Sequence, residues 1–380
     1  MRGFAKYMMI AATLLVGCQD DVTTVNPAND SAIYLSAVTE SCETTRAPYD
    51  YTVPTDSPEG VLNASIWASS FATKDNGMNV TGYIFPNLDL NGKNGTGEYA
   101  NQVAIHATAE FDSGHPQLLD QAVYPKKGTP VFFVGLHPQN GWVANSASTV
   151  AQFTFNGSHD VMFAPRIEGK YASAEDQENP VFDAPVLKFW HLLTWLKVCI
   201  VAENDDAISA WGKIRSMKIT SKDKVSIDIN AVANNGDNPF NPDFVAYSDG
   251  DGHDGLLSLY AKGTDNSFPA AGGYALKSLT SGATAHQEVA YVLCSPVVGR
   301  DIETIDGVDV EIPEYTLHIE TDNRKIELPI DLRRNADQYF MGSTRARCFT
   351  LNLTFKVGFT ILVSAEIEDW TFGGMGEIIL

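Results

Sequence analysis

The side chains that offer chemistry in this 380-residue sequence are eight histidines, five cysteines and one dense acidic run. The histidines stand at 106, 115, 137, 159, 191, 253, 286 and 318, and no pair has the H-E-x-x-H spacing that sets two ligands and a base on one helical face. A G-x-S-x-G nucleophile elbow, a P-loop and a dinucleotide fingerprint are all missing. No catalytic residue is assigned, and no cofactor is expected. The acidic run Ser248-Asp249-Gly250-Asp251-Gly252-His253-Asp254-Gly255 places Asp249, Asp251 and Asp254 within six residues, a hard-oxygen set that would suit Ca²⁺. Against the EF-hand pattern, His253 takes the fifth ligand position, Asp254 replaces the required Gly, and Tyr260 falls at position twelve. A Gly/Asp turn between strands is the preferred reading.

The first cysteine has a different context. Arg2 and Lys6 precede an apolar run from Tyr7 to Val16, and Leu15-Val16-Gly17-Cys18 follows the pattern of a bacterial lipobox. Such a run suits a signal peptide and is too short to span a bilayer. Acylation of Cys18 would tie the chain to a membrane by a lipid. Gln19-Asp20-Asp21 resembles the acidic tag that sends lipoproteins of Bacteroides-type bacteria to the outer face of the outer membrane. Cys42, Cys199, Cys294 and Cys348 show neither C-x-x-C nor metal-like spacing. Cys199 and Cys348 lie in apolar runs and read as buried thiols. Export also permits disulfides, and the three possible pairings of these four stay open.

The elements that would hold such groups are strands. Period-two alternation marks Ile33, Leu35 and Ala37, then Val103 to Phe111, then Tyr315, Leu317 and Ile319. It is clearest at Phe349, Leu351, Leu353 and Phe355, and resumes after Gly358 with Phe359, Ile361, Val363, Ala365 and Ile367. Residues 189–196 are the best helical candidate, although the run from Trp195 to Val201 reads as strand. Trp190, Trp195 and Trp370 read as core, and Trp142 as a loop-tip residue. With 26 basic against 47 acidic residues, the net charge of −21 excludes a nucleic-acid partner, which needs a basic face. An acidic stretch at 168–179 suggests a boundary. The expected organisation is a signal peptide at 1–17, a leader segment at 18–46, and β-sandwich domains at 47–175 and 176–380.

Four separated landmarks, in order, resemble the fimbrillin family of Bacteroides-type bacteria, the subunits of type V pili. After the lipobox comes Ala32-Ile33-Tyr34-Leu35-Ser36-Ala37-Val38, leading to Thr45-Arg46-Ala47. Next are His159-Asp160-Val161-Met162-Phe163-Ala164 and Leu187-Lys188-Phe189-Trp190-His191-Leu192-Leu193. The last is a terminal hairpin closing in Ile367-Glu368-Asp369-Trp370. The resemblance implies an all-β chain of two transthyretin-like antiparallel β-sandwich domains and a non-enzymatic role in an adhesive surface fibre. His191 reads as a hydrogen-bonded core histidine at a domain junction.

In such a fibre one sandwich edge must stay covered until the subunit reaches the surface. Ile33, Leu35 and Ala37 form a strand suited to cover it, and Arg46-Ala47 behind it is an expected cleavage site, with Pro48 keeping the link extended. Removal would open a groove for another subunit's strand. The donor candidates are Ile361, Val363, Ala365 and Ile367, with Ile378, Ile379 and Leu380 at the end of the chain. The expected partners are other fimbrial subunits, the outer membrane and a host or microbial surface ligand. The competing reading is a surface lipoprotein of similar fold that does not polymerise, binds glycans, or serves as a fimbrial anchor or tip.

Overall fold

Alternating apolar residues bounded by Gly, Asn and Asp clusters fold into strands, because period-two patterning buries one face of each. The computed structural model describes residues 32–39, 62–69, 104–111, 117–123, 130–144, 150–170, 185–229, 245–250, 254–264, 266–279, 286–297, 302–305, 308–311, 314–330, 332 and 348–368. In chain order the first strands are β1 (Ala32–Thr39), β2 (Leu62–Ser69), β3 (Ala104–Phe111), β4 (Gln117–Val123) and β5 (Pro130–His137). Then come β6 (Val143–Ala144), β7 (Val150–Thr154), β8 (Met162–Lys170), β9 (Val186–His191) and β10 (Thr194–Ala202). Helix α1 (Asp205–Trp211) precedes β11 (Lys213–Thr220), β12 (Lys224–Asp228), β13 (Val245–Ser248) and β14 (Leu256–Ala261). Three short and one long strand follow, β15 (Ser267–Phe268), β16 (Tyr274–Ala275), β17 (Gln287–Cys294) and β18 (Ile302–Ile305), with β17 the long one. The last five are β19 (Val308–Glu311), β20 (Tyr315–Thr321), β21 (Lys325–Ile330), β22 (Cys348–Lys356) and β23 (Thr360–Glu368). Among the described residues the chain is all-β apart from one short helix.

The N-terminal strands run β3-β2-β5-β8-β9-β1-β4. β9 is the strand on which this sheet turns. Its last residues, Trp190 and His191, pair with β8, while Val186–Phe189 pair with β1. One face of β2, β5 and β8 therefore packs with one face of β9 and β1. Leu62, Ala64, Ile66, Val131, Phe133, Met162 and Ala164 meet Leu35, Ala37, Leu187 and Phe189 in a single apolar cluster. Gly135 is where the packing is tightest. A Cβ there would overlap the Phe189 ring, 2.9 Å from Cε1 and 3.2 Å from the Ala164 methyl.

The C-terminal strands run β21-β20-β11-β14-β17-β10-β22-β23, with β15 on β14 and β16 on β11. β14 turns the corner here, pairing with β11 through Leu256–Ser258 and with β17 through Tyr260 and Ala261. Met217, Ile219, Leu317 and Ile319 from one side and Leu196, Val198, Leu293, Leu351 and Leu353 from the other share the second core. A third sheet, β13-β12-β7-β6, pairs β7 with β12 and so joins strands from both sides of residue 175. β9 also follows residue 175, yet it lies in the N-terminal sheet. Strand pairing thus crosses the point where the acidic stretch suggested a boundary.

Three expectations change. Pairing is mostly antiparallel, but β1 runs parallel to β9 and β10 runs parallel to β22. Residues 189–196 form no helix. They are the end of β9, a two-residue break and the start of β10, all buried, and a run apolar on every side carries no period to separate helix from strand. The helix lies instead at Asp205–Trp211, where Asn204 caps it by accepting the Ala207 N–H at 2.9 Å. Asp205 and Asp206 sit in its first turn, and Gly212 closes it at φ 71°. The third change is at Trp142. Its indole N–H donates to the Pro138 carbonyl at 2.9 Å and its ring tilts against Phe153 at 5.2 Å, so it braces the loop rather than projecting from it.

The packing at Gly135 sets a stability test. Gly135→Val forces Phe189 out of its place, an overpacking cost of about 1–3 kcal/mol. The measurement is the urea midpoint, expected to fall, and Gly135→Val with Phe189→Leu should recover part of the loss.

Candidate functional site

Two places in the fold collect the residues singled out in the sequence, the position of β1 and the junction between β9 and β10. β1 is an interior strand. Ser36 to Thr39 pair with Val186 to Phe189 of β9, and Ala32, Tyr34 and Leu35 pair with Val123, Leu118 and Gln117 of β4, across a bulge between Ala32 and Tyr34. Leu35 is 1% and Ala37 8% exposed, both in the N-terminal core. The side chain of Ile33 is outside the described residues, as are Cys18, Cys42, Arg46 and Ala47. Without β1, the facing edges of β9 and β4 would lose their backbone partners, and the core around Leu187 and Phe189 would open.

At the junction the chain leaves one sheet and enters the other through Leu192 and Leu193. Three groups pin it. The Leu192 N–H donates to the Val161 carbonyl at 2.8 Å, the Tyr247 hydroxyl donates to the Leu192 carbonyl at 2.5 Å, and His191 Nδ1 lies 2.7 Å from the Asp160 carboxylate. Asp160 and His191 are 3% and 2% exposed, so this polar pair is buried. The sequence flagged each residue in a separate landmark but gave no sign that they touch.

The donor candidates fall on β23, which forms a hairpin with β22 around Gly358 at φ 87°. β23 is the outermost strand of its sheet. Ile361 and Ala365 pack partly on the core, whereas Leu362 is 50% and Val363 37% exposed. Alternation on β23 therefore does not translate into a fully buried face, because an edge strand is covered less than an inner one. Ile378, Ile379, Leu380 and Trp370 lie outside the described residues.

The acidic run is committed to lysines. Asp249 pairs with Lys222 at 2.7 Å, and Asp254 lies 4.0 Å from Lys218 and accepts the Leu256 N–H. Asp251 is outside the described residues. Among those described, no group of three or more His, Cys, Asp or Glu could hold a metal. Cys199, Cys294 and Cys348 are buried and stand outside any disulfide. Burial pushes the Cys294 thiol up to about 12, so it stays protonated and unreactive at neutral pH. No helix among the described residues is long and apolar enough to cross a membrane.

The Asp160–His191 pair gives a second test. Removing one partner leaves a buried polar group unsatisfied, a cost on the order of 1–3 kcal/mol. Asp160→Ala and His191→Ala should each lower the denaturation midpoint, and the double variant should cost clearly less than their sum. Simple additivity would show that the two groups do not interact.

No protein-family model and no curated protein sequence matches the chain. Solved structures do. A candidate cell adhesion protein from Bacteroides uniformis is 14% identical, with a TM-score of 0.45 over 90% of this chain and 99% of that one. One from Bacteroides ovatus is also 14% identical, with a TM-score of 0.42 over 90% and 99%. The fimbrial anchor protein Mfa2 from Porphyromonas gingivalis is 10% identical, with a TM-score of 0.33 over 90% and 98%.

Proposed function

We propose that this chain is a lipid-anchored subunit of an adhesive bacterial surface fibre. It is exported as a lipoprotein, acylated at Cys18, displayed on the outer membrane, and joined to other subunits by strand exchange. The role is structural and not enzymatic. The observation that carries this reading is the place of β1, an N-terminal strand whose first half pairs with β4 and whose second half pairs with β9, with Leu35 and Ala37 in the core. It is connected to the rest of the chain through the segment that contains Thr45-Arg46-Ala47. Cleavage after Arg46 would detach Cys18 and β1 from the body together and leave a strand-shaped vacancy between β9 and β4.

The vacancy has a stated shape. It takes a large side chain and, two residues on, a small one, as Leu35 and Ala37 now supply. Val363 and Ala365 repeat that large-x-small pattern on β23, whose outer edge is unpaired by any neighbouring strand of the sheet. Ile361, Val363, Ala365 and Ile367 together offer roughly 6–12 kcal/mol of gross burial, before the costs of ordering and association. A contact of that size would be long-lived.

The test uses the purified chain and an Arg-specific protease. Cleavage after Arg46 should give ladders on native gels and filaments in electron micrographs, and Arg46→Ala should abolish both. Deletion of residues 373–380 should weaken assembly while leaving the fold intact. Clean cleavage with a product that stays monomeric at high concentration overturns the strand-exchange reading. Cys18→Ala should abolish lipid labelling in the native host, and unchanged membrane retention in that variant overturns the anchor.

A further inference from the structure

A groove of about 670 Å³ lies between the loop after β5 and strand β14, with the end of β7 as its floor. That volume is within the roughly 300–1,000 Å³ range of small-ligand clefts. Its walls are held in place. The Trp142 indole closes the loop onto the Pro138 carbonyl, and Gly141, at φ 95°, brings its backbone so near the Phe153 ring that a Cβ would lie 2.8 Å from it. On the other side the Tyr260 hydroxyl donates to the Asn156 carbonyl at 3.2 Å. His159 is oriented by Asn156 Oδ1 at 3.2 Å and by the Ser158 hydroxyl at 3.0 Å.

The lining has a recognisable chemistry. The side-chain amide of Asn140, the Nδ2 of Asn156 (whose Oδ1 already accepts the Ser158 N–H and hydroxyl), the imidazole of His159 and the carboxylate of Asp223 stand beside Phe153 and the ring of Tyr260, which also tilts against Tyr291 at 6.0 Å. Asp223 accepts the Gly250 N–H at 2.5 Å, and a carboxylate has about four acceptor positions. Amides and a carboxylate pair with hydroxyl groups, while an aromatic face takes the C–H face of a sugar ring. Among the described residues that line the groove there is no Lys or Arg, and the chain carries a net charge of −21. An anionic ligand would therefore find repulsion and no counter-charge. Asp223 is the one carboxylate among the described lining residues, and a hard cation takes about six to eight oxygens.

We propose that this groove binds a neutral glycan, with Tyr260 as a stacking surface and Asn140, Asn156, His159 and Asp223 as hydroxyl partners. None of the described lining residues belongs to β1 or β23, so the site is tested apart from strand exchange.

The experiment uses the chain with Arg46→Ala, which keeps it unprocessed, so that failure here and failure of assembly are separate results. Native gels are cast with a soluble glucan, a mannan, a xylan or an arabinogalactan, and with polygalacturonate as the acidic probe. Retardation by at least one neutral polymer and not by polygalacturonate is expected. Asn140→Ala and Thr154→Arg, both at exposed positions, should weaken it at least tenfold with unchanged melting temperature. The proposal is overturned if no neutral polymer retards the protein, if polygalacturonate does so equally, or if Thr154→Arg binds as the parent does.

Discussion

A strand position inside a sheet cannot stand empty. β4 presents backbone donors and acceptors to Ala32–Leu35 and β9 to Ser36–Thr39, and each such group left buried and unpaired would cost about 1–3 kcal/mol. The N-terminal core depends on that position being filled, since Leu35 and Ala37 close it against Leu187, Phe189 and the strands opposite. What the position demands from its occupant is modest. Burial of one Leu supplies about 1.5–3 kcal/mol, and an Ala adds less. Backbone pairing, which any extended chain can provide, supplies the rest. A slot of this kind is strict about being occupied and tolerant about by what.

The patterning made much of this legible. Tyr315, Leu317 and Ile319 are buried on β20 as their alternation requires, and so are Phe349, Leu351, Leu353 and Phe355 on β22. Leu35 and Ala37 share the buried face of β1 for the same reason. The helix at Asp205–Trp211 was legible but unread. Asn204, the two aspartates after it and Gly212 spell a cap at each end, yet seven residues give too short a period to stand out.

Other features had no local signal. The parallel pairing of β1 with β9 and of β10 with β22 joins residues about 150 apart, and nothing in either strand encodes its partner. The Asp160–His191 contact is of the same kind, because a short polar residue beside an apolar run reads alike whether it is solvated or sealed in a junction. The groove beside Tyr260 gathers residues from four separate strands and loops. Only the fold brings their amide, imidazole and carboxylate groups to one place.

The exposure along the second hairpin points in the same direction as the slot. Successive residues of a strand face opposite sides, so the exposure of both Leu362 and Val363 leaves β23 uncovered on each face at that point. Val357 and Phe359 in the preceding turn are exposed as well, at 51% and 38%. Edge strands of monomeric proteins are usually protected by lysines, prolines or bulges, and contiguous apolar surface on a monomer tends to be small. Here residues 357–363, Val-Gly-Phe-Thr-Ile-Leu-Val, contain no charge at all in a chain whose surplus of acids keeps the rest of its surface soluble. An unprotected edge is a liability in isolation. In the strand-exchange reading proposed above, another copy would cover this edge, and the position of β1 would be the one that accepts it.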